Sequence, residues 1–463
     1  SHFNKSDYSR FTSSLKEETA LLKSWFDNRC FSTSDLMAGY ELEAWLTNRT
    51  GKPAAINEAF LQHANNALLS PELAKFNIEL NVEPERLSAN VLSSFEDKLN
   101  ILWQQCSAAA DSLDSHIIGI GILPTLEDSD LTVENISLLD RYRALNEQVL
   151  RQRKGLEIEL NINGEEHLQV THKDVMLEAA ATSLQIHIQV PQHVAARYYN
   201  ASILLSAPMV AVSANSPCLF GKRLWQETRI PVFEQSVPTG GYGGAASGPV
   251  QRVSFGTGYV RESLYECFLE NLEHFPVLLP AHYKTTVDRL RHLRLHNGTI
   301  WRWNRPLIGF DQDQTPHLRI EHRVCASAPS TVDNIANIAF YYGLVHYYAT
   351  MEEPPENDMP FADAKNNFYR AAQLGLKLKT RWFDMKTDTM QNIILDKLLL
   401  EAEAGLHKLG INPLDSQRYL SIIEQRVAQN KTGSQWQLNF LNAHQDNRSQ
   451  LTLNYLRNQI SGQ

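Results

Sequence analysis

Four glutamates stand inside segments that otherwise read as buried β-strands, and this placement limits the chain more than any other feature. Side chains at i and i+2 of a strand share a face. Glu41 and Glu43, in the run 39–46, therefore point together, with Tyr40, Leu42 and Ala44 on the other side. Glu79 lies between Ile78 and Leu80 in the run 76–82, and Glu321 shares a face with Arg319 and Arg323 in the run 318–324. Carboxylates among apolar neighbours need water or a cation. One reading is a set of edge strands with wet polar faces, where alternating charges form a surface ion-pair ladder. The other is a hard-cation site: carboxylates hold Mg²⁺, which bridges phosphate oxygens, and an arginine fork grips the phosphate.

Composition narrows the class. The 463 residues suffice for one large domain or two to three smaller ones. With 43 basic against 52 acidic side chains the net charge is −9, which argues against general binding to nucleic acid or anionic membranes. Five scattered cysteines (Cys30, Cys106, Cys218, Cys267 and Cys325) have no CxxC spacing, so neither a disulfide framework nor a zinc cluster is expected. A reducing, cytoplasmic setting fits this usage. Residues 1–7 carry no apolar signal core, and the apolar run 202–214 is too short to span a bilayer.

Periodicity predicts helices near 12–28, 88–110 and 195–212, the last closed by Asn215-Ser216-Pro217. Strands are expected at 39–46, 76–82, 117–123 and 184–190. A hairpin is expected between 156–162 and 167–171 around Asn163-Gly164. The glycine-rich stretch 238–258 reads as a connector or an active-site lid. After a break at 352–358 the chain reads as helices only, which suggests a catalytic domain over 1–350 and a helical extension over 351–463 packed on it. Interspersed strands and helices give an α+β class.

Further polar residues stand out. His187 shares a strand face with Gln185 and Gln189, a pattern that suits either a polar cavity or an ordinary hydrogen-bonded histidine. Arg229 and Arg305 are candidate oxyanion ligands, Arg305 within Trp301-Arg302-Trp303-Asn304-Arg305-Pro306. The sequence has no P-loop, no GxGxxG after a strand, no GxSxG and no HExxH.

Taken in order, these pieces resemble glutamate–cysteine ligase type 2 enzymes, a family of carboxylate–amine ligases. The resemblance runs through Gly39-Tyr40-Glu41-Leu42-Glu43, Glu79, Arg141-Tyr142-Arg143 and Gln185-Ile186-His187-Ile188. It continues through Ala211–Pro217 with Gly221 and Thr228-Arg229, then 298–306, 318–324 and Thr331-Val332-Asp333. It covers residues 36–348 and departs from the family's pattern at Gln185, where a histidine is usual.

The resemblance implies a glutamine-synthetase-like fold, in which a curved, mostly antiparallel sheet flanked by helices forms a funnel. Glu41, Glu43, Glu79 and Glu321 would be ligands of two or more Mg²⁺ ions. Arg323 would bind the transferring phosphate of the co-substrate ATP, and His187 would sit by the phosphates or a metal. Arg229 and Arg305 would meet substrate carboxylate or phosphate, while the role of Arg319 stays open. The implied reaction joins glutamate and an amine such as cysteine through an acyl phosphate. A ligase for another carboxylate and amine, a phosphotransferase, and a non-catalytic protein on this fold are the alternatives. Partners are then small amino acids rather than nucleic acid or membrane, with homodimerisation left open.

Overall fold

The computed structural model describes residues 3–239, 251–383 and 386–462. Its centre is an eight-stranded antiparallel sheet. The main path uses β1 (Met37–Asn48), β2 (Leu69–Pro71), β3 (Asn77–Asn81), β4 (Ser183–Val190), β5 (Asn304–Phe310) and β6 (Pro316–Ala326), in the order β5-β6-β4-β1-β3-β2. Two short strands, Glu85–Arg86 and Ser115–Ile118, pair with the two ends of β1. The sheet curls into a half-barrel, the α+β arrangement expected.

One face of the sheet is apolar. Tyr40, Leu42, Ala44, Ile78, Leu80, Leu184, Ile186, Ile188, Leu318 and Ile320 are all buried. Against it lie two helices with little polar surface, Gln192–Ser213 and Thr331–Ala349. From Tyr198 to Ser213 every residue is buried, as a helix in the middle of a large core requires. Tyr342 ties this layer to the sheet. Its hydroxyl bonds the carbonyls of Gly39 and His187 and accepts from the Gly39 N–H, so one side chain spans β1 and β4.

Three local expectations change. The strand predicted over 117–123 stops at Ile118. There the Gly119 N–H donates to the Gln459 side chain and its carbonyl accepts from the Tyr455 hydroxyl, so side chains replace the ladder. The hairpin forms between Ile158–Asn163 and His167–His172, with three connecting residues rather than a two-residue turn. Beyond residue 351 the chain is mainly helical, but Lys379–Thr380 pairs with Asp388–Thr389. Helices Leu399–Lys408 and Pro413–Ala428 pack on Thr331–Ala349. The suggested lid falls largely on residues 240–250, which lie outside the described residues.

Candidate active site

The other face of the sheet is polar, and its register sets the site. Residues directly opposite on neighbouring strands present their side chains to the same face. Arg305 lies opposite Glu321, Glu321 opposite His187, Gln185 opposite Glu41, and Glu43 opposite Glu79. Five strands thus place all four predicted glutamates, His187 and Arg305 on one concave surface.

Glu41, His187 and Glu321 form a first group, each offering a ligand atom within 4.8 Å of the others. His187 Nε2 lies 3.6 Å from a Glu41 oxygen and 3.9 Å from a Glu321 oxygen. It is buried and has no hydrogen-bond partner among the described residues. Burial, then the nearby Arg319 charge, pushes the His187 imidazole down to about 3, so it is neutral with a lone pair to offer. Burial, followed by the Glu79 and Glu321 charges, raises the Glu41 carboxyl well above the ordinary carboxylate range. Burial also opposes ionisation of Glu321, but Arg305 and Arg323 overcome it and hold that carboxyl far below its usual range. The Arg305 fork contacts both Glu321 oxygens, at 3.2 and 3.1 Å, and Arg323 adds a bond of 2.9 Å.

Glu43, Glu72 and Glu79 form the second group. Glu43 accepts from the Ser183 N–H at 2.6 Å and from the Gln185 amide at 2.9 Å. Glu79 accepts from Ser70 and from Asn81. Burial and then the charges of Glu79 and Glu43 raise the Glu72 carboxyl, while Glu43 is raised by burial against the pull of Arg323. Glu178, on the short turn Met176–Ala180, lines a cavity together with Glu43 and Glu72, and its buried Oε2 has no partner among the described residues. Burial and the Glu43 charge push its carboxyl up to about 7. Such crowding of carboxylates is unfavourable without a counter-charge, and hard oxygen donors at this spacing suit a divalent cation of the Mg²⁺ type.

The arginines differ in how they are engaged. Arg323 sits where β6 bulges between His322 and Cys325. Its Nη1 serves Gln185 and Glu321, its Nε has no acceptor among the described residues, and its guanidinium lies over the Phe233 ring. Arg229 borders the cavity, but its Nε donates to Thr182 O and its Nη2 to Arg323 O and Cys325 O. It braces the bulge through three carbonyls. Arg319 faces Gln189 across the ladder and leaves its Nε unpartnered among the described residues. Phe233 and Trp303 supply an apolar wall beside Arg323.

Sequence patterning missed Glu72 and Glu178. Both lie outside long strands, so no alternation marks them. Glu72 reaches Glu79 only because β2 folds back on β3 with Ser70 opposite Glu79.

Comparisons with known proteins bear on the family and the fold. The family model described as glutamate–cysteine ligase family 2 matches residues 37–455. The match extends about a hundred residues past the limit of the motif resemblance and takes in most of the C-terminal helices. No sequence among the curated proteins matches significantly. A glutamate–cysteine ligase from Francisella tularensis, solved in complex with AMP, superposes with a TM-score of 0.59 at 12% identity, covering 92% of this chain and 88% of that one. A bifunctional glutathione synthetase from Pasteurella multocida gives a TM-score of 0.49 at 11% identity over 95% of this chain and 54% of that one.

Proposed function

Because the chain belongs to glutamate–cysteine ligase family 2, we propose that it is an ATP-dependent ligase joining the side-chain carboxylate of glutamate to the amine of cysteine. The observation that carries this reading is the pair of adjoining carboxylate groups with Arg305 and Arg323 at their edge, on one concave sheet face.

In this reading Glu41, His187 and Glu321 would hold one Mg²⁺, and Glu43, Glu72 and Glu79 another. Bound Mg²⁺ would neutralise the triphosphate. The chain's own residues then do the orienting. Arg323, pinned by Glu321 and Gln185, presents its remaining N–H groups to the phosphoryl in flight, and Arg319 offers an Nε–H that has no acceptor among the described residues. Arg305 sets the Glu321 carboxylate, and Arg229 sets the bulge that carries Arg323. A glutamate carboxylate oxygen attacks the γ-phosphorus and ADP leaves. The amine then attacks the acyl carbon, phosphate departs, and one C–N bond has formed. No side-chain nucleophile is required, because the work is alignment and charge stabilisation.

The substrate pair is tested by ADP release with Mg·ATP, glutamate and each proteinogenic amino acid in turn. The proposal expects release that depends on both glutamate and cysteine. Preference for another amine would contradict the cysteine assignment while leaving the ligase chemistry in place. A stable phosphorylated product without free phosphate would indicate a phosphotransferase instead.

A further inference from the structure

Three alternate carbonyls at the end of β6 and just beyond it accept hydrogen bonds from side chains. Arg229 holds those of Arg323 and Cys325, at 3.0 and 2.6 Å, and Asn215 Nδ2 holds that of Ser327, at 2.8 Å. The bulge makes these braces matter, because the ladder between β6 and β4 is interrupted between His322 and Cys325. Both donors depend on one turn. The Ser216 hydroxyl accepts from the Arg229 N–H at 3.2 Å, and the Ser216 carbonyl accepts from the Thr228 N–H at 2.9 Å. Glu227 closes the turn by accepting from the Asn215 N–H and the Ser216 hydroxyl.

That turn is fixed from the far end of the chain. Gln437, on the helix Gly433–Ala443, donates its side-chain amide to Asn215 Oδ1 at 2.8 Å. The Ser434 hydroxyl accepts from the Ser216 N–H at 2.9 Å and donates to the Gln226 carbonyl. The Ser434 N–H donates to the Ala214 carbonyl at 2.9 Å. A Cβ at Gly433 would collide with Asn215 Oδ1, so this close approach requires a residue without a side chain. Asn215, Ser216, Glu227, Arg229, Ser434 and Gln437 are each at most 2% exposed. None of the six carries a buried side-chain nitrogen or oxygen that lacks a partner. A buried polar network with every member paired has one arrangement and holds its parts rigidly.

We propose that Gln437 and Ser434 are positioning residues for Arg323, acting through Asn215, Ser216 and Arg229. For its catalytic consequence this rests on the ligase reading above, in which Arg323 meets the transferring phosphoryl group. Alignment of that group is sensitive, since a displacement of about 1 Å can cost about a hundredfold in rate. The helix Gly433–Ala443 is thereby part of the frame that holds the reactive arginine, although it touches none of the carboxylate groups.

Amide hydrogen exchange and steady-state kinetics on the full chain test this. Gln437→Leu and Ser434→Ala each remove one link to the turn. Each should speed exchange within 320–327 at least fivefold and leave 37–48 unchanged. Each should also lower kcat for ADP release at least fivefold, with less than a twofold change in the KM for ATP. Tyr419→Phe, which removes a buried hydroxyl bonded to Glu96 on a neighbouring C-terminal helix, is the control. It should lower the melting temperature and leave exchange within 320–327 and kcat unchanged. Melting curves of all three variants establish that they fold. Unchanged exchange within 320–327 in Gln437→Leu and Ser434→Ala would overturn the proposal whatever the turnover. So would an unchanged kcat in both, or an equal loss of kcat in Tyr419→Phe. If the unsubstituted chain releases no ADP with any amine, the ligase reading fails and the catalytic role with it, while exchange still decides whether this helix sets the end of β6.

Discussion

Glu178 is the residue whose behaviour follows most directly from its surroundings. Its carboxyl is raised from the ordinary 4.5 to about 7 by burial and by Glu43. The folded, metal-free chain therefore binds more protons here than the unfolded chain between about pH 4.5 and pH 7. A raised carboxyl means stability that is present at low pH and falls as pH rises through that window. Glu178→Gln removes the term and should stabilise the metal-free protein at pH 8 by roughly 1–3 kcal/mol, with little effect at pH 4.5. Chemical denaturation at the two pH values reads this directly. An equal effect at both would contradict the electrostatic account. Glu72→Gln should weaken Mg²⁺ binding at least tenfold by calorimetry, because it removes one of three converging carboxylates.

At the scale of elements, the bulge in β6 and the back-side tyrosine position the polar face of the sheet. Arg229 bonds three carbonyls around the bulge, and a lysine cannot reproduce that fork. Arg229→Lys should lower kcat at least tenfold, with a smaller change in the KM for ATP, because it displaces Arg323 without touching the carboxylate groups. Steady-state kinetics separates the two. Tyr342→Phe leaves the Gly39 and His187 carbonyls without their shared hydroxyl and should cost about 1–3 kcal/mol in unfolding free energy.

These elements also show what the sequence discloses. The shared face of Glu41 and Glu43 was legible because strand alternation is local, and Glu321 with Arg323 was legible for the same reason. Glu72 was not, because its position depends on how β2 folds back on β3. The end of the strand at Ile118 was not, because its partners, Gln459 and Tyr455, are more than 300 residues away in the chain.

Across the whole molecule, the half-barrel gathers charged and polar groups from distant segments onto one concave surface and leaves the helices to cover the other side. No helix among the described residues is long and apolar enough to cross a membrane. The C-terminal helices belong to the same assembly. Tyr455 joins Asn215 to Gly119, and Arg426 joins Val212 to Asp333. If the carboxylate groups hold Mg²⁺ as proposed, their crowding would make the metal-free molecule less stable than the loaded one. Saturating Mg²⁺ should therefore raise the melting temperature by several degrees, and Glu43→Gln should reduce that rise.

The central claim is that this concave face activates a carboxylate by phosphorylation. Glutamate labelled with ¹⁸O in its side-chain carboxylate, incubated with Mg·ATP and cysteine, tests it most directly through mass analysis of the released phosphate. The account predicts one ¹⁸O atom in phosphate for each amide bond formed. Amide formation with unlabelled phosphate would contradict it.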